Sequence, residues 1–269
     1  MELVERDNEV RLLEGCLQEA VRGSGRLVLL GGEAGIGKTS LLQALADRRE
    51  DAVLWWGACD ALQTPHPLAP LHDFARGANV GFRALLSAQT DRAQLFEAVL
   101  RELQQSRRPT LAVIEDVHWA DEATLDLLKF LGRRIERAPC LLVVSFRDDQ
   151  LTPAHPLRRL IGHLPASLVT RIDVPRLSSA AVELLARRAL QSAHGLHAVT
   201  QGNPFFVTEV LRHGGEPVPQ AVQASQKPME PIWFAPATGK YNEGNKHFID
   251  YQNDVTAADL ELAQREGYE

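Results

Sequence analysis

The 269 residues carry a formal net charge of −6 and are 45% hydrophobic, enough for one large α/β domain or two small ones at roughly 100–200 residues each, and without the basic field that direct DNA binding would need. The three cysteines, Cys16, Cys59 and Cys140, are widely separated and outside any C-x-x-C or Cys/His spacing, which argues against a disulfide framework or a zinc site and for reduced, buried thiols. No apolar run approaches the ~20 residues of a membrane span, and Met1–Arg6 lacks the apolar segment of a signal peptide, so the expected setting is the cytoplasm without a membrane partner.

In chain order, Val10, Leu12, Leu13, Leu17 and Ala20 recur near helical spacing and predict a helix over 7–20, broken by Gly23-Ser24-Gly25. Arg26–Leu30 is a short apolar run of strand type, and Thr39–Ala46 has the apolar spacing of a helix. Ala52–Trp56 reads as a second strand, followed by a stretch punctuated by Pro65, Pro67 and Pro70 that predicts a surface connection. Helical periodicity returns over 91–103. Thr110–Ile114 is a near-continuous apolar run of the kind buried in a parallel sheet, ending on Glu115-Asp116. A helix is predicted over 121–135, with Asp121 and Glu122 suited to its first turn. Then come a strand over 141–145 ending on Phe146-Arg147, a helix over 156–163, a strand over 169–174, and a helix over 178–190 that Ser178 or Ser179 could cap. Strands alternating with helices predict a parallel, doubly wound sheet flanked by helices on both faces, with ligands at the carboxyl ends of the strands.

Between the first strand and its helix lies Gly32-Glu33-Ala34-Gly35-Ile36-Gly37-Lys38-Thr39, a complete G-x-x-x-x-G-K-T phosphate-binding loop continuing into Ser40. The chemistry needs these residue types. Glycines let the backbone curl until successive N–H groups face a phosphate, the lysine reaches β/γ-oxygens, and the threonine hydroxyl serves Mg²⁺. Glu115-Asp116, some 75 residues on, has the form of a Walker B element, in which one carboxylate holds the Mg²⁺ shell and the other orients or deprotonates water. Glu115 is assigned to the metal and Asp116 to the water, with the reverse assignment open. Arg147 closes the next strand, where it is either a γ-phosphate sensor or a surface ion pair with Asp148 or Asp149.

Composition changes near Gln226. Before it 23 Arg stand against Lys38 and Lys129 alone; after it come Lys227, Lys240, Lys246, Arg265 and every Tyr of the chain. The expected organisation is therefore a P-loop ATPase domain over 1–213, a linker over 214–226 and an unrelated, irregular tail over 227–269. Pro228, Pro231, Pro236 and Gly239 make the tail a poor candidate for an independent domain.

Val4-Glu5-Arg6, the phosphate loop, Val113–Asp121, Ser145–Asp149 and Gly202-Asn203-Pro204-Phe205-Phe206 together resemble the ATPase module of STAND-class proteins. The nearest resemblance is to large ATP-binding LuxR-type transcription regulators, also grouped with AAA ATPases, over roughly residues 2–213. The resemblance implies ATP with Mg²⁺, Arg6 near the adenine, Pro204 packed on the base and Arg147 on the γ-phosphate. It implies no fixed role for His118, Trp119 or Asp121. Family members continue into helical domains and a basic helix-turn-helix, which is not expected here, and residues 227–269 resemble an internal piece of the sarcosine oxidase α subunit. Three readings stay open: a slowly hydrolysing regulatory switch, answering to a protein or small-molecule effector through domains not present; a stand-alone oligomeric ATPase working on a protein partner, with Arg133-Arg134 or Arg158-Arg159 as fingers; or a truncated or fused product without activity of its own.

Overall fold

The computed structural model describes residues 3–49, 51–62, 66–75 and 91–214. The chain divides into two units, Met1–Lys227 and Pro228–Glu269, and every element below belongs to the first. Apart from Gly214, the expected linker and tail lie outside the described residues.

Five strands form one parallel sheet: β1 (Arg26–Gly31), β2 (Val53–Ala58), β3 (Thr110–Glu115), β4 (Cys140–Ser145) and β5 (Val169–Asp173), in the order β2-β3-β4-β1-β5. The three inner strands are apolar at nearly every position because both of their faces are covered. β4 is buried throughout, whereas the edge strands β2 and β5 are only partly so. Alternation then sorts the side chains. Leu27, Leu29, Ala112, Ile114, Leu142 and Val144 face a core shared with α4 (Arg92–Gln105), α5 (Glu122–Leu131) and α6 (Pro156–Gly162). Val28, Leu30, Leu111, Val113, Leu141 and Val143 face the core under α1 (Asp7–Val21) and α2 (Lys38–Asp47).

The strands and flanking helices follow the sequence reading, with two differences of physical interest. The proline-punctuated stretch does not stay at the surface: residues 63–65 lie outside the described set, but from Leu68 the chain turns inward into α3 (Ala69–Phe74). Pro70 sits in the first turn of that helix, where its missing N–H costs nothing, and buried Leu71 and Phe74 reach the first core, the Phe74 ring centroid 5.4 Å from that of Trp55. The helix expected over 121–135 stops at Leu131 with Gly132 as its C-cap, a position where a side chain would meet Leu164 at 2.4 Å, and a single 3₁₀ turn, Ile135–Arg137, follows.

After β5 the chain builds a third, smaller core from α7 (Ser179–Arg188), α8 (Leu196–Thr200) and α9 (Pro204–Arg212), centred on Leu177, Val182, Ala186, Leu196, Val207 and Val210. The second and third of these helices were not anticipated from periodicity. All three cysteines are free and buried. Burial pushes the Cys59 thiol up to about 12 and raises Cys140 as well, so neither is a thiolate at neutral pH. No helix among the described residues is long and apolar enough to cross a membrane.

Leu141, fully buried in the central strand, reports on the sandwich. Its replacement by Ala is expected to lower the free energy of unfolding by about 2–5 kcal/mol, read as a shifted urea midpoint with an unchanged slope.

Candidate functional site

The carboxyl ends of β1, β3 and β4 bring together the phosphate loop, Glu115-Asp116 and Arg147, at the point where strand order reverses and a parallel sheet leaves a crevice. The loop leaves β1 at Gly32 and enters α2 at Lys38; Gly37, at φ +98°, is the N-cap and offers no side-chain cap. The first-turn amides of α2 are thereby left without an intrahelical or side-chain acceptor, an arrangement that favours an anion.

The loop carbonyls account for its shape. Lys38 Nζ donates to the Gly32 carbonyl at 2.8 Å and the Glu33 carbonyl at 2.9 Å. Asn203 Nδ2 donates to the Ala34 carbonyl at 2.9 Å, the Phe205 amide to the Gly35 carbonyl at 3.2 Å, and Arg6 Nη2 to the Ile36 carbonyl at 3.3 Å. Five consecutive carbonyls are thus held by donors. Because the C=O of a trans peptide points opposite to the next N–H, the amides of residues 33, 34, 35 and 37 are turned the other way, while the Ile36 amide donates within the loop to the Glu33 carbonyl at 3.4 Å. Lys38, with three N–H bonds, spends two on the loop and keeps one for an oxygen of a bound anion. Burial lowers its pKa, while Asp116, Asp148 and Asp149 oppose that and Arg147 adds to it.

Glu115 is held by two donors. Thr39 Oγ1 reaches its Oε1 at 2.5 Å and Trp56 Nε1 its Oε2 at 2.9 Å. Asp116 stands in the left-handed region, at φ 53° and ψ 42°, which an aspartate tolerates better than most residues. That conformation breaks strand alternation just past Glu115. The Asp116 amide donates to Ser145 Oγ at 3.1 Å, and its Oδ1 lies 3.9 Å from Arg147 Nε and 3.8 Å from His118 Nδ1. Arg147 is therefore paired with Asp116, rather than with Asp148 or Asp149 as the surface reading had it. His118 is 5% exposed, and its ring nitrogens have no hydrogen-bond partner among the described residues. Burial, with Arg147 and Lys38 close by, lowers its pKa to about 3, so the ring is neutral. Asp121 is a structural cap: it accepts from the amides of Ala123 and Thr124 and from that of Leu68.

The third core is joined to the loop and to the segment before α1 by a set of polar contacts. Arg6 is buried, its guanidinium donating to the Pro175 carbonyl at 2.8 Å as well as to Ile36, so its charge is met by backbone oxygens. Glu5 accepts from the Ser178 amide at 2.8 Å and from the Ser178 hydroxyl, which holds its carboxyl below the usual range. Arg176 pairs with the Glu33 carboxylate through Nη2 at 2.7 and 2.8 Å. Asn203 caps α9 by accepting from the Phe205 amide at 3.1 Å, and Pro204 occupies its first turn. The approach depends on glycine twice. A Cβ on Gly35 (φ +72°) would lie 2.6 Å from Phe205 Cβ, and one on Gly202 (φ +74°) 2.1 Å from the Leu177 carbonyl oxygen.

Arg6, the loop with Lys38 and Thr39, Glu115, Asp116 and Arg147 lie together, Pro204 stands between two residues bonded to the loop, and the arginine pairs Arg133-Arg134 and Arg158-Arg159 make no contact with this group among the described residues. Ile36 turns its side chain into the core and Glu33 turns outward to Arg176, which leaves the loop's open side to its backbone, Lys38, Thr39 and the first turn through Ser40. Sequence reasoning gave no site role to Trp56, Ser145, Arg176 or Asn203, although Ser145 and Asn203 stand within the motifs that carried the resemblance.

A parallel sheet in this order, with a glycine-rich loop feeding a helix and a carboxylate pair on the third strand, defines a P-loop NTPase. Residues 2–144 match the AAA ATPase domain family, and the chain belongs to that family. It is 27% identical over 260 residues to the uncharacterized protein R02095 of Rhizobium meliloti (strain 1021), covering 78% of this chain and 25% of that protein. The chain therefore spans about a quarter of the curated relative it matches. Among solved structures, a Signal Transduction ATPase with Numerous Domains (STAND) protein with a tetratricopeptide repeat sensor from Pyrococcus horikoshii superposes with a TM-score of 0.53 at 18% identity, over 82% of this chain and 32% of that one. Cdc6p from Pyrobaculum aerophilum does so with a TM-score of 0.57 at 16% identity, over 84% and 64%. Both share the fold.

Two outcomes follow from this geometry. Asn203→Ala removes a helix cap and the Ala34 contact together, and is expected to cost about 1–2 kcal/mol, seen as a lower melting temperature. His118 binds no proton in the folded state until pH falls to about 3, whereas in the unfolded chain it protonates near 6.5. Stability is therefore lost as pH falls from 6.5 towards 3, by up to about 1.4 kcal/mol per pH unit from this one group. Urea titrations at pH 7 and pH 5 should show a smaller acid loss in His118→Phe than in the parent.

Proposed function

We propose that the chain is an ATP-binding regulatory switch module, of the kind carried by LuxR-type transcription regulators, with slow hydrolysis or exchange as its reset. The observation that carries this reading is the pair of hydrogen bonds from the start of α9 to the Ala34 and Gly35 carbonyls. The loop that would cradle phosphates and the helices that follow the sheet are parts of one bonded unit. Whatever changes the loop's preferred shape changes the stability of that docking, which is what a switch requires.

The residues fit the nucleotide and its metal. Backbone amides over 33–39 and Lys38 would hold the β- and γ-phosphates, with the first-turn dipole of α2 in support. The Thr39 hydroxyl and Glu115, already in contact, would hold Mg²⁺, which when bound neutralises phosphate charge and orients the γ-phosphoryl group. Asp116 would orient or deprotonate the attacking water, and Arg147, which reaches Asp116 from the neighbouring strand, would answer to the γ-phosphate. Pro204, fixed at the head of α9 beside the loop, is where the base would pack. Arg6 supports that wall through its carbonyl bonds to Ile36 and Pro175. The protein or small-molecule effector would act through further domains, in keeping with the greater length of the curated relative.

Calorimetric titration with ATP and Mg²⁺ tests this. Lys38→Ala should weaken binding at least 100-fold, about 2.7 kcal/mol, and unchanged affinity would sink the reading. Asp116→Asn should keep ATP affinity within a few fold while slowing hydrolysis about 10²-fold or more, measured as phosphate release.

A further inference from the structure

The Glu115 carboxylate has a donor on each oxygen, and the two donors differ in kind. Thr39 sits on Oε1 at 2.5 Å from the first turn of α2. Trp56 sits on Oε2 at 2.9 Å from the edge strand β2. In the register between β2 and β3, Glu115 lies opposite Ala58 and Trp56 opposite Val113, so the indole must extend along the strands, two residues past its own position, to reach the carboxylate. Its ring packs against the core under α1 and α2, which fixes the direction of the N–H. The neighbouring Trp55 lies in the core on the opposite face of the sheet.

An indole N–H donates and cannot accept. It can tie down a carboxylate oxygen without competing for a cation. A hydroxyl both donates and accepts, so Thr39 can offer a lone pair to a cation while its O–H still donates to Oε1. A glutamate side chain has three rotatable bonds and, left to itself, would have to be ordered by the metal at the metal's expense. We propose that Trp56 is a positioning residue for the divalent cation: the indole anchors Oε2, so that Glu115 presents Oε1, beside the Thr39 hydroxyl, to the Mg²⁺ shell before any metal arrives. This deepens the ATP·Mg²⁺ reading above and rests on it.

Trp56→Phe keeps an aromatic ring in the same packing and removes the donor. ADP binding is titrated with and without Mg²⁺, chelator being present in the metal-free arm, and melting curves of the ligand-free proteins serve as a fold control. The expected result is an Mg²⁺ half-saturation about tenfold higher in the variant, the size of one lost hydrogen bond to a charged group, with metal-free ADP affinity within twofold of the parent. A purely packing role for Trp56 would move the melting temperature and both affinities together, and that outcome overturns the proposal, as does an unchanged Mg²⁺ dependence. Should Trp56→Phe not fold, the unsubstituted chain carries the test through ¹⁵N-labelled tryptophan. One indole N–H resonance must shift when Mg²⁺ joins the ADP complex, and Glu115→Gln must shift the same resonance in metal-free protein; the absence of either shift overturns the proposal. If the unsubstituted chain binds no nucleotide under any condition, the ATP reading fails first and this inference with it. If it binds with Mg²⁺ dependence that ignores Trp56, only the inference fails.

Discussion

A backbone loop that is to receive an anion must turn its carbonyls away from it, and here each carbonyl from Gly32 to Ile36 is held by a donor. Left free, those oxygens would point variably and some would repel phosphate. Fixed, they orient the opposing N–H groups in advance and remove part of the ordering cost of binding. The donors come from three places: Lys38 and the Ile36 amide within the motif, Arg6 from the chain segment before α1, and Asn203 and Phe205 at the head of α9. The motif supplies three of the six contacts, and residues more than 160 positions away in sequence supply two others.

This constraint explains why the three cores are joined as they are. The sheet and its flanking helices bury their apolar residues in two large clusters, while α7–α9 bury theirs in a small cluster of their own. What links the small cluster to the loop is a set of directional bonds: Arg6 to Pro175, Glu5 to Ser178, Arg176 to Glu33 and Asn203 to Ala34. An apolar interface slides and repacks in small steps, but hydrogen bonds to particular carbonyls are made or lost with loop geometry. The same contacts that shape the loop are therefore those through which its occupancy would be felt in the helices.

Much of this was legible in the sequence. Buried parallel strands announce themselves as apolar runs, and 110–114 and 141–145 are the inner strands β3 and β4. The loop motif and Glu115-Asp116 mark the ends of their strands because glycine and paired carboxylates have few other reasons to stand there. Short-range patterns also succeeded where a cap was involved, as with Ser178 and Asp121. What escaped depends on contacts at long range. Arg6 was marked as a site residue by resemblance alone; only the fold shows it buried against two carbonyls from distant segments. Trp56 reads as a strand aromatic, and nothing local says that its N–H meets Glu115. Leu71 and Phe74 were hidden behind prolines that elsewhere signal a surface turn, and α9 was marked in the sequence only by its opening Gly202-Asn203-Pro204 and not read as a helix.

The central claim is that the docking of α9 on the loop exists before nucleotide and is strengthened by it. Hydrogen–deuterium exchange across 196–212, followed in nucleotide-free protein and again with ATP and Mg²⁺, tests it most directly. The account predicts slowed amides at Phe205 and Val207 in the free protein and further slowing with nucleotide. Rapid exchange at both positions in free protein, or protection there that is indifferent to nucleotide, would contradict it.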